Sequence, residues 1–216
     1  KSIIHGDAND WNILVSNEKI NGIIDFGDMC YAPLINELAI ALTYIMFNKE
    51  EPIDAACIMI KSYSEVLPLE KDEVELLYYL IGARLCISVR NSSYYRSMHP
   101  KNEYISVSEE NICNLMEKWI SINPIGATNM FLKAAGHQVE DKYDIDKDLE
   151  VRFNHISKSL SVSYTKPIKM EKAAFQYMYD NTGMTYLDMC NNIPHIGHCH
   201  PYVVEAGQRQ MSKLNT

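Results

Sequence analysis

Three polar residues near the start of the chain have the types and spacing that phosphoryl transfer requires. In HGDANDWN, Asp7 precedes Asn12 by five residues, and in IIDFGD, Asp25 follows thirteen residues after that. Moving a γ-phosphoryl group onto a hydroxyl needs a carboxylate that orients the attacking O–H and accepts its proton. It also needs oxygen ligands that hold Mg²⁺ on the nucleotide phosphates. Asp7, Asn12 and Asp25 are the residue types that these tasks call for. Asp28 reads either as a local cap or as a further metal or substrate contact.

The elements around these residues follow from pattern. IIH and NILVS are β-branched runs on either side of the loop, and NGIIDFG carries a turn and another strand. Pro33 stands as the first helical residue of PLINELAIALTYIMF, a helix apolar nearly all round and hence buried. From Pro52 to Trp119 the spacing predicts three or four more helices, with Ser108 capping the one that contains SEENICNLMEKWISI. INPIGATNMFLKAAGH then breaks the pattern and restarts a short helix. QVEDKYDIDKDLE, residues 138–150, has eight charges in thirteen residues and reads as a linker. Its Asp144, Asp146 and Asp148 imitate the opening of a calcium loop, but Leu149 stands where that loop turns on Gly and His155 where it needs a bidentate Glu. Beyond it come a helix-like VRFNHISKSL, a hairpin QYMYDNTGMTYLDM turning at Gly183, the polar loop NNIPHIGHCH and a helix from Pro201.

Composition narrows the function classes. Hydrophobic residues make up 47% of the chain and charged residues 22%, which is ordinary for a folded protein. Six cysteines are scattered without a CxxC pair, so reduced thiols in a cytoplasmic setting are expected and no disulfide. The longest apolar run, LAIALTYIMF, is too short to span a bilayer, so no membrane partner is expected. Residues 1–137 carry 11 Lys and Arg against 18 Asp and Glu, whereas residues 138–216 carry 9 against 10. That excess of carboxylate disfavours a nucleic-acid partner. It either suits an amine-bearing substrate or serves solubility alone.

The HGD form of the loop, with the spacing to Asn12 and Asp25, resembles the aminoglycoside phosphotransferase-like kinases of small molecules. The run HGDANDWNILV through IIDFGDMCYAPLINELAIAL is most similar to the hydroxylysine-kinase branch. The resemblance implies ATP and Mg²⁺ as cofactors, Asp7 as catalytic base, Asn12 and Asp25 as metal ligands, and His5 as a support of the loop. Such kinases cover ATP with an N-terminal lobe that carries a glycine-rich loop and a phosphate-binding Lys. Neither occurs before Lys1, so the chain reads as a C-lobe cut from something longer, expected to transfer no phosphate alone.

The closing residues, RFNHISKSLSVSYTKP and FQYMYDNTGMTYLDMCNNIPHIGHCHPYVVEAGQRQMSKLNT, resemble the N-terminal portion of class III pyridoxal-phosphate aminotransferases. NNIPHIGHCHP is similar to the phospho-lyases of that class. The resemblance implies pyridoxal 5′-phosphate in the parent protein, with its Schiff-base Lys outside this chain and Lys158, Lys166, Lys169 and Lys172 solvated. His195, His198 and His200, beside Cys190 and Cys199, read either as a zinc cluster or as a loop at a helix N-terminus that approaches an anion.

The expected fold class is α+β: a mostly helical kinase-like C-lobe with a short catalytic-loop β-hairpin over residues 1–137, an acidic linker over 138–150, and an incomplete N-terminal segment of a fold type I domain over 151–216. The expected parent is a cytoplasmic bifunctional enzyme, homodimeric through its pyridoxal-phosphate domain. It would phosphorylate a small amine alcohol and then eliminate the phosphate. The alternatives are a non-catalytic kinase-like binding or dimerisation module, and a kinase fused to a true class III transaminase.

Overall fold

The structure is a computed structural model that describes residues 1–98, 103–139, 145–157, 159–160, 167–189 and 195–214, with backbone alone for 103–109 and 145. It is a mixed α and β chain that divides into two compact units, the first comprising residues 1–120 and 127–139, the second 121–126 and 140–216. Among the described residues no helix is long and apolar enough to cross a membrane.

The first unit opens with two antiparallel strand pairs. Strand β1 (Ser2–Ile4) pairs with β4 (Cys30–Ala32), and β2 (Ile13–Ser16) with β3 (Lys19–Ile23). The β2–β3 connection is a two-residue turn in which Asn17 and Glu18 have φ of 51° and 60°. Both central residues being left-handed is the hairpin geometry whose twist matches the strands. The turn therefore lies at Asn17–Glu18. Asn21 and Gly22, where a turn is expected from sequence, lie inside β3, at a register shift that sets Leu14 opposite Gly22 and Val15 opposite Ile20. Strand β4 is not apparent in the sequence pattern. It exists because Cys30–Ala32 extends antiparallel along Ser2–Ile4.

Five helices follow in this part of the chain: α1 (Ile35–Ile45), α2 (Pro52–Val66), α3 (Lys71–Met98), α4 (Glu103–Ser121) and α5 (Pro124–Ala134). Helix α1 starts two residues after Pro33, because the Asn36 and Glu37 N–H groups bond to Pro33 and Leu34 carbonyls in a tight three-residue turn. Its Leu38, Ala39, Leu42 and Thr43 are buried, and α1 packs along α3. Helix α3 faces it with Val74, Leu77, Ile81 and Leu85, all at 0% exposure and spaced by three and four residues. Fully burying one such Leu contributes roughly 1.5–3 kcal/mol, so this seam is the core of the unit. Glu73 opens α3 by accepting the Glu70 N–H at 3.1 Å, half of a capping box. Helix α4 begins five residues before Ser108, so that residue lies within the helix and does not cap it. Its Trp119 stacks on Tyr78 at 4.8 Å and sits against Gly82, where an added Cβ would meet the indole at 3.4 Å. Helix α5 ends in a Schellman turn: Gly136, at φ 87°, donates to Lys133 and His137 donates to Leu132.

In the second unit, helix α6 (Ile145–His155) begins within the acidic stretch and so starts earlier than the apolar pattern implies. Asp146 and Asp148 in its first turn and Arg152 and His155 in its last complement the helix dipole, which explains a helix in so charged a run. Strands β5 (Met170–Ala174), β6 (Tyr177–Asp180) and β7 (Thr185–Leu187) form a three-stranded antiparallel sheet, with Gly183 at φ 103° in the β6–β7 turn. Helix α7 (Pro201–Met211) starts on Pro201 and buries none of its residues.

The β6–β7 turn is built on Asp180, 3% exposed. Its carboxylate accepts the N–H groups of Thr182 and Met184 at 2.9 and 2.8 Å and the hydroxyls of Thr182 and Tyr186 at 2.9 and 3.2 Å. Asn123 Nδ2 donates to the carbonyls of Asp180 and Met184, and its Oδ1 caps the first turn of α5 through Ile125 and Gly126 N–H. Gly126 and Gly183 approach so closely that a Cβ on Gly126 would lie 2.9 Å from the Gly183 Cα. Burial would raise the Asp180 pKa, but the hydrogen bonds from Met184, Thr182 and Tyr186 outweigh it and hold the group below its ordinary 3.8. A depressed folded-state pKa adds stability above the unfolded value that is lost as pH falls through the folded one. The sheet is therefore expected to lose hydrogen-exchange protection as pH drops below 3.8. Asp180→Asn should remove that acid dependence while lowering protection at neutral pH; an unchanged acid dependence would contradict this account.

Candidate active site

The loop between β1 and β2 owes its shape to Gly6 and His5. Gly6 has φ 83°, and a Cβ there would lie 2.5 Å from the Asp28 carbonyl oxygen, so no larger residue fits. This gives a steric reason for glycine in the HGD form. The Gly6 N–H donates to Glu37 Oε2 at 3.0 Å, which ties the loop to α1. His5 Nδ1 accepts the Asp7 N–H at 3.3 Å while Nε2 lies 2.9 Å from the Ile24 carbonyl, and this pairing fixes the Nε2–H tautomer. His5 also meets Phe26 edge to face at 5.1 Å. It thus links the loop to the residues on either side of Asp25.

Asp7 and Asn12 are brought together directly. Asn12 Nδ2 donates to the Asp7 carbonyl at 2.9 Å and to its Oδ2 at 3.1 Å. Asn9 Nδ2 donates to the same Oδ2 at 2.8 Å, and Asn9 Oδ1 accepts the N–H groups of Trp11 and Asn12. With its amide nitrogen spent on Asp7, buried Asn12 keeps Oδ1 as an oxygen donor. Asp25 joins through the backbone: the Ile24 N–H bonds to the Asn12 carbonyl at 2.9 Å, so Asp25 is the next residue beyond that ladder. Asp25 holds φ 62° and ψ 68°, a left-handed conformation, and opens a short 3₁₀ turn without a side-chain cap bond. Such backbone states cost about 1–3 kcal/mol and persist where the surroundings enforce them. Asp28 contributes its backbone carbonyl, which closes the space over Gly6.

Three residues that the sequence reading does not include complete the site. Arg84 of α3 donates through Nη2 to Asp7 Oδ1 at 2.6 Å and to the Tyr44 hydroxyl at 2.7 Å. Glu37 holds Gly6, and its Oε1 is buried with no hydrogen-bond partner among the described residues. A signal for both ions exists in sequence: Glu37 is the sole charge between Asp28 and Lys49, and Arg84 the sole charge between Glu75 and Arg90. A single ion in a long apolar helical run needs a partner.

Among the described residues no group of three His, Cys, Asp or Glu side chains is placed to hold a metal ion. The oxygens of Asn12 and Asp25 still suit magnesium, which takes one or two protein ligands and fills its other positions with phosphate and water. In the closing segment, His198 Nε2 lies 2.7 Å from Asp188 Oδ2, and His198 forms a backbone bridge with Phe175. His195 and Cys199 are exposed, His200 starts α7, and Cys190 lies outside the described residues. Lys158 and Lys166 lie outside them too, while Lys169 pairs with Glu171 at 3.7 Å and Lys172 is exposed.

Gly6→Ala is expected to displace the loop without unfolding the helices: the amide signals of Gly6 to Asn12 should move while those of α1 and α3 hold. An unmoved loop would contradict the steric argument.

Residues 1–59 match the model of the phosphotransferase enzyme family. Hydroxylysine kinase of Danio rerio is 36% identical over 124 residues, which is 54% of this chain and 35% of that protein. An alanine–glyoxylate aminotransferase 2-like protein of Drosophila melanogaster is 42% identical over 69 residues, 32% of this chain and 14% of its own. Ethanolamine-phosphate phospho-lyase homolog 1 of Caenorhabditis elegans is 36% identical over 80 residues, 37% of this chain and 16% of its own. The chain thus spans about a third of the kinase relative's length and about a sixth of the other two. No solved structure matches. The opening segment, with its Asp7 loop, is thus similar to the phosphotransferase enzyme family and to hydroxylysine kinases, in a chain whose closing segment is similar to an aminotransferase-like protein and a phospho-lyase homolog.

Proposed function

We propose that this chain is part of a bifunctional enzyme that phosphorylates a hydroxyl on a small amine, of the hydroxylysine or ethanolamine type, and then eliminates that phosphate. The observation that carries the first half is the Asp7 carboxylate gripped by Arg84, Asn9 and Asn12, with Asp25 following the backbone pair that Asn12 makes to Ile24. In this reading Asp7 orients the acceptor O–H and takes its proton. The freed lone pair forms the bond to the γ-phosphorus as the bond to the bridging oxygen breaks, and ADP leaves. Asn12 Oδ1 and the Asp25 carboxylate would hold Mg²⁺, which when bound neutralises the phosphate oxygens. The acidic balance of residues 1–137 suits an amine-bearing acceptor.

The second half rests on the resemblance of the closing residues to phospho-lyases and on the C. elegans relative. The described lysines there do not by themselves make a site for pyridoxal phosphate: Lys169 pairs with Glu171 and Lys172 is exposed. Elimination suits fusion to a kinase, since the first product is then the second substrate and need not leave the protein. A transaminase is the second reading, favoured by the name of the D. melanogaster relative. A homodimer formed through the pyridoxal-phosphate domain, in the cytoplasm, completes the proposal.

The test is phosphate transfer from Mg·ATP to hydroxylysine and to ethanolamine by the intact protein. Asp7→Asn is expected to lower kcat roughly 10²- to 10⁴-fold and to leave Mg·ATP binding in place. Turnover that survives Asp7→Asn would sink the assignment of Asp7.

A further inference from the structure

The Asp7 carboxylate is held on two sides by groups of different origin. Oδ2 is held by Asn9 and Asn12, which lie within five residues of Asp7 in the chain. Oδ1 is held by Arg84, 77 positions away on α3. Among the described residues, that contact is the one that ties the carboxylate to another helix. Arg84 is itself fixed: the same Nη2 donates to the Tyr44 hydroxyl of α1 at 2.7 Å, and its guanidinium carbon lies 5.4 Å from the centre of the Tyr44 ring. The Arg84 and Asp7 side chains are 20% and 21% exposed, so solvent screens their attraction less than it would a surface pair. Its two hydrogen bonds and the ring contact orient the guanidinium, whose Nε is buried with no hydrogen-bond partner among the described residues.

We infer that Arg84, anchored by Tyr44, is a positioning residue that locks the Asp7 carboxylate in one rotamer against α1 and α3. The inference rests on the proposed reading of Asp7 as the group that faces the acceptor hydroxyl. Loss of Arg84 frees Oδ1 and lets the carboxylate turn about χ1, so the acceptor O–H meets it in the wrong direction for part of the time. A single nitrogen makes both bonds, so one ammonium can replace it. Arg84→Lys therefore restores the lock where Arg84→Ala abolishes it. A strut that merely joined α1 to α3 would change thermal stability and leave the Asp7 rotamer alone.

The experiment is NMR on the full chain, reading Asp7 χ1 from the three-bond couplings of its Cγ to the backbone nitrogen and carbonyl carbon. Wild type and Arg84→Lys are expected to show one rotamer, and Arg84→Ala to show averaged couplings while the α1 and α3 amide signals stay in place. In the intact protein Arg84→Ala should lower kcat roughly 10- to 100-fold at an unchanged KM for the acceptor. A single Asp7 rotamer in folded Arg84→Ala overturns the inference, as does averaging in Arg84→Lys equal to that in Arg84→Ala. Should Arg84→Ala not fold, Arg84→Gln takes its place with the same two outcomes. Averaged couplings together with a wild-type kcat would support the lock and sink the reading of Asp7 as the catalytic group.

Discussion

A carboxylate fixed at both of its oxygens is what the first unit is arranged around. Asp7 sits in a loop with little packing of its own, yet it is tied to α3 by Arg84 and to Asn12 by two hydrogen bonds. Its own N–H is held by His5. Each tie reaches a more rigid element: α3 through its buried stripe, α1 through Glu37 and Tyr44, and the β2–β3 hairpin through Asn12. Precision at the loop is borrowed from the α1–α3 seam. Helices hold a site more tightly than loops do, and the hydrogen bonds carry that rigidity to the carboxylate.

Two backbone states set the local geometry. Gly6 adopts φ 83° under the Asp28 carbonyl, and Asp25 adopts φ 62° at the end of the Ile24 ladder. The two are linked, since Asp28 lies in the 3₁₀ turn that Asp25 opens. The loop after β1 and the turn after β3 thus close on each other. The hairpin between Asn12 and Ile24 returns the chain to where it left, as the bond from the Ile24 N–H to the Asn12 carbonyl records. The β1–β4 pair fastens the outside of the same region.

Much of this was legible in sequence and some was not. Periodicity located the helices from Pro52 onward, the Gly183 turn and the helix at Pro201, because apolar spacing and turn residues act locally. The Asn21–Gly22 pair misled, since a turn-forming dipeptide was absorbed as an irregularity in β3 while Asn17–Glu18 made the turn. Strand β4 left no trace because it exists only by pairing with a distant segment. The start of helix α6, ahead of the helix expected from Val151, was hidden by its charges, which serve its dipole and mask its period. At the site, the residue types of Asp7, Asn12 and Asp25 stood out by spacing, whereas Arg84 and Glu37 are defined by contacts 77 and 31 positions away. Their only mark in sequence is isolation among apolar neighbours.

The central claim is spatial: Asp7, Asn12 and Asp25 serve one nucleotide-bound cation. Paramagnetic line broadening tests it most directly, with Mn·ATP titrated into the isotopically labelled chain. The account predicts that signals of Asn12 and Asp25 broaden first, followed by those of Asp7 and His5. Broadening centred on another part of the surface, or none in this loop and turn when the rest of the chain responds, would contradict it.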